Sequence, residues 1–194
     1  MYLSSINGRH WLTKASVALV LVLSALIFSA PEASGQRLAL KTNALEYFVL
    51  SPNLTLEARM SRRLSLQLGI AANPITRPIS GYKFTNFRVE PELRYWFNRP
   101  MARHFIALSA TAGTFSLQFK ERYLDFDAVA AGISYGYALV LSRHWNMEAE
   151  IGVGLASVSG YDYHGEDNKP KHNNLHKMMP VPVRCGLTFS YIFR

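Results

Sequence analysis

The chain has 194 residues, of which 49% are hydrophobic and 18% are charged, and its formal net charge is +8. This composition excludes a disordered chain, a collagen-like chain and a disulfide-stabilised scaffold, and the length is that of one or two domains. The single cysteine, Cys185, can form neither an internal disulfide nor a cysteine-only zinc site.

The N-terminal segment has the layout of a secretory signal. Basic residues precede the apolar run 15–30, which is shorter than the roughly 20 residues that a membrane-spanning helix needs. Small residues follow at 33–35, so we expect a cleaved signal peptide at 1–35 and a mature domain at 36–194. The alternative is a retained N-terminal anchor. Export argues against a nucleic-acid partner, and contact with anionic lipid or polysaccharide better explains the basic charge.

The rest of the chain alternates between apolar and polar residues with a period of two, which predicts β-strands with two different faces. In one clear case, Met147, Ile151 and Val153 alternate with Glu148 and Glu150. No later stretch is long and apolar enough for a transmembrane helix. Eight strands are predicted, near residues 37–45, 53–60, 64–71, 86–95, 104–114, 129–139, 146–155 and 183–193.

The predicted connections alternate between short and longer segments. The shorter ones are expected at 61–63, 98–103 and 142–144, and the longer ones at 46–52, 73–85, 115–126 and 159–179. Transmembrane β-barrels have this arrangement, with short turns at the periplasmic rim and longer loops outside. The predicted fold is therefore all-β, an eight-stranded antiparallel up-and-down transmembrane β-barrel preceded by a cleaved signal peptide.

Alternation by itself also fits a water-soluble barrel or sandwich whose apolar face points inward. Three features favour the membrane barrel. The polar face is rich in Gly, Ala and Ser, the apolar face is nearly free of charge, and the last predicted strand ends with aromatic residues at Phe189, Tyr191 and Phe193. Aromatic residues also fall at both rims, as they do in membrane barrels. The expected short-turn belt comprises Tyr95, Trp96, Phe97, Trp145, Tyr191 and Phe193, and the expected long-loop belt comprises Tyr47, Phe48, Phe84, Phe87, Phe115 and Tyr161.

The last predicted strand carries a polar residue, a glycine and spaced aromatic residues. They are Arg184, Gly186, Phe189 and Tyr191, with Phe193 beyond them. This pattern resembles the C-terminal signal of outer-membrane proteins. The resemblance implies recognition by the barrel insertion machinery and location in the outer membrane of a Gram-negative bacterium.

Several segments are similar to a family of Bacteroidota outer-membrane β-barrel proteins, domain of unknown function 3575. The matching segments lie at 38–43, 51–54, 91–97, 132–137, 141–146 and 151–154, and the third of them reads PELRYWF. The resemblance implies an eight-stranded outer-membrane barrel, genes often near those of fimbriae, and no established activity. Many members carry a closely spaced cysteine pair in the last long loop, which this chain lacks, so we expect no role that depends on such a pair.

If the apolar side chains face lipid, the opposite face fills the lumen with ionisable groups. The predicted lumen network comprises Lys41, Glu57, Arg59, Arg88, Glu90, Glu92, Arg94, Glu148, Glu150 and Arg184. With Arg37 included, six cations face five carboxylates, which is close to balance. Because the interior of an eight-stranded barrel is just wide enough for side chains to fill it, we predict that paired charges plug the lumen. The alternative is a gate or a narrow path for protons or ions.

Other candidate sites are weak. Ser142 and His144 are neighbours on a predicted periplasmic turn, without an orienting carboxylate nearby in the sequence. In the last long loop, His164, His172 and His176 are the candidate metal ligands, but the residues around them disfavour the helix that would bring two of them together. We therefore predict no catalytic residue, no metal and no cofactor.

Pro91 falls inside a predicted strand, where its missing N–H removes a bond from the ladder. We expect a β-bulge to accommodate it.

The expected function is structural or interactive. A rigid barrel in outer-membrane lipid would present its extracellular loops to a fimbrial or other envelope protein. One alternative is a lipid-modifying outer-membrane enzyme, which a cluster of Ser, His and acid at the long-loop rim would favour. The other is a narrow pore.

Overall fold

The computed structural model describes residues 37–73, 82–165, 170 and 172–193, so the predicted signal segment lies outside the described residues. The elements are β1 (Leu38–Asn43), α1 (Ala44–Tyr47), β2 (Asn53–Arg59), β3 (Leu64–Asn73), β4 (Tyr82–Trp96), β5 (Arg103–Phe119), β6 (Arg122–Val140), β7 (Trp145–His164) and β8 (Leu175–Phe193). Each strand pairs antiparallel with the next, and β8 pairs antiparallel with β1, so the eight strands close into an up-and-down barrel. The tight connections 60–63, 97–102 and 141–144 define the turn end of the barrel, and the opposite end is the loop end.

The later strands are longer than predicted, and one predicted loop is absent. The ladder between β5 and β6 extends as far as the pair Phe119–Arg122. The segment 115–126 is therefore a tight hairpin rather than a long loop. Its cross-strand pair Phe115 and Phe126 stacks with ring centroids 5.2 Å apart, which stabilises the extended ladder. Simple apolar–polar alternation does not identify this part of the hairpin.

The outward face of the barrel is apolar and the inward face carries the charge. Ile133 and Ile151 on the outward face are 68% and 66% exposed, whereas Glu57 and Arg94 on the inward face are 0% and 2% exposed. A water-soluble barrel has the reverse arrangement. No helix among the described residues is long and apolar enough to cross a membrane.

A β-bulge in β8 changes which of its residues face inward. Gly152 of β7 lies opposite Arg184, but Val153 lies opposite Pro182, so Val183 is an extra residue on β8. Val183 is buried together with inward-facing residues of β7. Val183 therefore faces inward, because one inserted residue reverses the alternation of β8 on the loop-end side of the bulge.

Pro91 produces no bulge, which corrects the prediction. It lies opposite Leu68 of β3 in an uninterrupted register. On the other side, the ladder to β5 lacks pairs at Glu90 and Pro91 and resumes at Glu92 in the same register. The missing N–H is therefore accommodated by a local gap in one ladder.

The strands β1 and β8 pair along only part of their length. The last pair joins Asn43 to Thr188, so within the described residues the loop-end part of β8 has no partner strand on the β1 side. The side chain of Asn43 continues the contact, because its Nδ2 donates to the carbonyl of Cys185 at 3.2 Å and its Oδ1 accepts from the Leu187 N–H at 3.1 Å. We refer to this boundary, from Asn43 to the free edge of β8, as the β1–β8 seam.

Candidate functional site

Ionisable side chains from β1, α1, β2, β4, β7 and β8 form one continuous ion-pair network inside the barrel, the lumen network. Its cations are Lys41, Arg88, Arg94 and Arg184, and its carboxylates are Glu46, Glu57, Glu90, Glu92, Glu148 and Glu150. Four cations therefore face six carboxylates. The strands bring these groups together because alternate residues of each strand point into a bore that side chains fill.

Arg94 is the centre of the turn-end half of the lumen network. Its Nε lies 2.5 Å from Glu92, its Nη1 lies 2.7 Å from Glu148, and its Nη2 lies 2.7 Å from Glu150. Lys41 lies 2.7 Å from Glu148 and also pairs with Glu57. The planar guanidinium can address several carboxylates at fixed angles, so Arg94 joins opposite walls of the barrel.

The loop-end half of the lumen network depends on two further arginines. Arg184 pairs with Glu90, and its Nε lies 2.6 Å from Glu92. Arg88 lies 2.6 Å from Glu90 and 2.5 Å from Glu46 on α1. Burial raises the pKa of Glu46, and the neighbouring Glu90 raises this pKa further, whereas Arg88 lowers it.

Three inward serines donate hydrogen bonds to the carboxylates of the lumen network. The pairs are Ser65 with Glu57, Ser109 with Glu92 at 2.9 Å, and Ser134 with Glu150 at 2.5 Å. Such bonds occupy carboxylate lone pairs that the cations leave open, which reduces the cost of burying the charges.

Aromatic side chains close the lumen at the turn end. Trp96 and Phe105 are fully buried, with ring centroids 4.7 Å apart, and the Arg94 guanidinium lies 4.2 Å from the Phe105 ring centroid. Below them Met101 is buried, and its carbonyl accepts from Asn146 Nδ2 at 2.5 Å. The prediction that Trp96 belongs to the outer aromatic belt is wrong. Because Tyr95 faces outward, the alternation of β4 places the next residue, Trp96, inward.

The lumen network contains every predicted member except Arg59. This residue lies at the turn end, where its Nε donates to the Ser61 carbonyl at 3.0 Å, and Arg37 also takes no part in the network. Glu46 is a member that period-two alternation does not predict, since it lies on the helix α1. The predicted balance of charge is therefore corrected to an excess of carboxylates.

The three histidines considered as metal ligands do not converge. Among the described residues, no group of three or more His, Cys, Asp or Glu side chains could hold a metal ion. His164 ends β7, His172 is exposed, and His176 Nδ1 lies 3.2 Å from Ser159 Oγ. Loop residues 166–169 and 171 lie outside the described part of the chain.

Ser142 and His144 do not form a catalytic pair. The Ser142 hydroxyl accepts from the backbone N–H groups of His144 and Trp145 at 3.4 and 3.2 Å. The His144 ring instead contacts the Ile192 carbonyl through Nδ1 at 3.0 Å. Both residues shape the β7 turn and its contact with β8.

The residues of the predicted C-terminal insertion signal divide between the two faces of β8. Arg184 belongs to the lumen network, and Gly186 lies beside the Asn43 side chain. The aromatic members form an outward cluster at the turn end, in which Tyr191 lies 5.1 Å from Phe193 and 5.2 Å from Trp145 between ring centroids. Phe189 is 39% exposed on the same face. The role of these residues in insertion remains a prediction.

Comparison with known families explains the shared motifs. A family model described as "Protein of unknown function (DUF3575)" matches residues 17–193. The chain belongs to this family. The match confirms the resemblance to DUF3575, and no curated protein matches the chain.

In this DUF3575 protein, the lumen widens above the lumen network into a cavity of about 640 Å³. Arg184 and Glu90 line its deeper part, whereas Phe126, Val158 and Met179 line one wall towards the loop end. The interior is therefore closed and charged at the turn end and open and partly apolar at the loop end.

Proposed function

We propose that this protein is an integral barrel of the outer membrane of a Gram-negative bacterium, with a structural or interaction role. The observation that carries the proposal is the inverted polarity of the barrel. Leu108, Ile133 and Ile151 are more than half exposed, whereas Glu57, Glu92 and Arg94 are buried. Hydrocarbon outside the wall and side-chain pairing inside it would satisfy both faces.

The height of the apolar face supports this assignment. On β7 the outward apolar residues run from Trp145 to Leu155. At about 3.4 Å per residue and a tilt of about 40°, this stretch spans about 26 Å, close to the apolar band of about 25 Å in known membrane barrels.

The outward aromatic residues support it too. Trp145, Tyr191 and Phe193 cluster at the turn end, and Tyr95 and Phe97 pack edge to face with centroids 5.9 Å apart. Amphipathic rings favour the interface between membrane and water. This cluster corresponds to the periplasmic girdle of a membrane barrel.

The proposed partners follow from this orientation. Outer-membrane lipid would contact the outward face, the insertion machinery would read the last strand, and no nucleic acid is involved. A fimbrial or other envelope protein would bind at the loop end, as the family resemblance implies. Export through the segment 1–35 precedes each of these contacts.

Cell fractionation followed by electrophoresis with and without boiling tests the proposal. We expect the protein in the outer-membrane fraction, with a mobility that changes on heating because a folded barrel resists detergent. A soluble periplasmic protein without such a shift would contradict it.

For the interaction role, a photo-crosslinking residue at Lys120 on the loop-end hairpin should give a discrete adduct in intact cells, and the same residue at Arg62 on the turn end is the control. Absence of adducts from loop-end positions would contradict that role.

A narrow pore is the less favoured alternative, because Trp96, Phe105 and the lumen network fill the turn-end half of the bore. We expect no single-channel conductance in planar bilayers. A steady conductance that changes in Arg94→Gln would favour the pore.

A lipid-modifying enzyme is the second candidate, and one contact favours it. Ser159 Oγ lies 3.2 Å from His176 Nδ1, and Asn173 Nδ2 donates to the same hydroxyl at 3.2 Å. Serine and histidine in contact are the core of many hydrolytic sites, but in those sites the third residue orients the histidine rather than the serine. Comparing the lipids of cells that carry wild type or Ser159→Ala tests this candidate. Identical lipid profiles would exclude it.

A further inference from the structure

The turn end of the barrel carries positive charge and no carboxylate. The segments 58–63, 97–104 and 141–145 contain no Asp or Glu, and their ionisable residues are all arginines and histidines. Six arginines there are exposed or half-buried, namely Arg59, Arg62, Arg63, Arg99, Arg103 and Arg143. The loop end carries both signs, as in the adjacent residues Lys120 and Glu121. The accessible charge of the barrel is therefore polarised along its axis.

The charge of these arginines is not neutralised within the described part of the chain. None of them takes part in the ion pairs of the described residues. Two of them donate to neutral acceptors instead, because Arg59 Nε contacts the Ser61 carbonyl and Arg63 Nη1 lies 3.0 Å from the Tyr95 hydroxyl. Their charge is available to an anion, unlike that of the arginines in the lumen network.

The connection between β4 and β5 holds Arg99 in a fixed position. Arg99 forms an isolated antiparallel bridge with Ala102. Met101 lies between them and is only 2% exposed, and its carbonyl accepts from Asn146 Nδ2. These contacts tie the connection to β7, so Arg99 is presented by a rigid turn.

Three arginines converge on a recess beside this connection. Arg37, Arg99 and Arg143 line a cavity of about 40 Å³, which has room for about three oxygen-sized groups. Guanidinium groups bind phosphate through paired N–H donors, and several of them around one small recess favour an anion with several acceptor oxygens. A phosphate group has this size and this chemistry.

The contacts of the turn end with outward tyrosines favour lipid as the source of that phosphate. Arg63 bonds to Tyr95, and His104 Nδ1 lies 2.6 Å from the Tyr135 hydroxyl. Both tyrosines are exposed on the outward face, where amphipathic rings favour the boundary between hydrocarbon and head groups. The tight turns extend only a few residues beyond these rings. In a membrane, their arginines therefore lie in the head-group layer.

We propose that the turn end binds the phosphate groups of anionic phospholipids in the leaflet that faces the periplasm. The recess of Arg37, Arg99 and Arg143 takes one phosphate, and the other arginines hold head groups around the rim. The proposal rests on the outer-membrane assignment and adds the class of lipid and the residues that select it. Anionic lipid would then fix the depth of the barrel in the membrane.

Titration of the refolded mature chain in detergent, followed by native mass spectrometry, tests the proposal. The probes are dioctanoyl phosphatidylglycerol and dioctanoyl phosphatidylcholine, which share their acyl chains and a phosphate but differ in net charge. We expect phosphatidylglycerol to bind at least about fivefold more tightly at low salt. The preference should shrink in about 0.5 M sodium chloride, because salt screens exposed charges. Equal affinities, or a preference that salt does not change, would overturn the proposal.

A pair of double variants locates the site. Arg99→Gln with Arg143→Gln removes two charges from the recess, whereas Lys83→Gln with Lys120→Gln removes two charges from the loop end. We expect the first to reduce the preference for phosphatidylglycerol below about twofold and the second to leave it unchanged. If the first does not give the heat-dependent mobility of a folded barrel, Arg143→Gln alone replaces it. Equal effects of the recess variant and its loop-end control would overturn the proposed location.

Two further measurements separate this proposal from the outer-membrane assignment. Cell fractionation tests the assignment by itself, and heat-dependent mobility before the titration shows that the barrel is folded. A folded protein of the outer membrane that does not prefer phosphatidylglycerol would overturn only the lipid proposal. Co-sedimentation with purified peptidoglycan that is lost in Arg99→Gln with Arg143→Gln, without any preference between the lipids, would overturn it in favour of the cell wall.

Discussion

Arg94 on β4 and Glu150 on β7 meet across the interior of the barrel, with 2.7 Å between Nη2 and Oε2. Two strands, β5 and β6, separate them in the sheet, so the contact crosses the bore rather than following the wall. Such a contact is available only in a barrel narrow enough for side chains from opposite walls to touch.

Arg94→Gln should destabilise the barrel strongly. The variant leaves Glu92, Glu148 and Glu150 without their shared cation, and breaking a buried ion pair costs about 3–5 kcal/mol. Glu92→Gln should also lower stability, since it removes a partner of both Arg94 and Arg184. Urea unfolding in lipid vesicles measures the loss. Arg122→Gln, which breaks an exposed pair, is the control and should change stability much less. Unchanged stability in both lumen variants would contradict the buried network.

Ile151→Arg separates a lipid-facing wall from a water-facing one. In a membrane, arginine at this mid-height position should cost about 2–4 kcal/mol of folding free energy. Met178→Arg, on the outward face nearer the loop end, is the matched control and should cost about 0–1 kcal/mol. The folded fraction after refolding into vesicles, read from heat-dependent mobility, measures both. An Ile151→Arg variant as stable as Met178→Arg would argue for water at this face.

Asn43→Ala should open the β1–β8 seam. The side chain caps α1 through the Leu45 N–H and accepts from the Leu187 N–H, so its loss should cost about 1 kcal/mol for the cap and speed hydrogen exchange at Leu187. Asn43→Asp keeps both acceptor contacts and loses the two donor contacts, to the Cys185 carbonyl and to Glu46 Oε1. We expect a smaller increase in exchange for Asn43→Asp. Identical exchange at Leu187 in wild type and Asn43→Ala would show that the seam does not depend on this side chain.

Glu46→Gln should alter how stability depends on pH. Because burial raises the pKa of Glu46 above its ordinary value of 4.5, its contribution to stability is fully present below that value and is lost as the pH rises through the folded-state pKa. The variant should therefore gain stability relative to wild type between about pH 4 and about pH 8. Unfolding midpoints at both pH values measure the difference. If the stability difference between Glu46→Gln and wild type is the same at the two pH values, burial does not penalise the charge of Glu46.

The number of strands, the polarity of the two faces and most of the lumen network follow from the amino-acid sequence, whereas the full length of the later strands does not. Side-chain direction in a strand alternates at every residue, so Glu90, Glu92 and Arg94 share a face wherever β4 lies in the fold. The same rule extends to Trp96, whose side chain faces inward rather than into the aromatic belt. Glu46 could not be found in this way, because it reaches the lumen from a helix.

How these groups pair depends on the tertiary structure. Lys41 contacts Glu148 across 107 positions of sequence, and no local pattern encodes that contact. Closure of β8 on β1 sets it, and the hydrogen bonds between β7 and β8 set the bulge that turns Val183 inward and extends the apolar wall of the cavity. Register between strands is a property of pairs of segments, so neither the ion pairs nor the cavity could be derived from the periodicity of single strands.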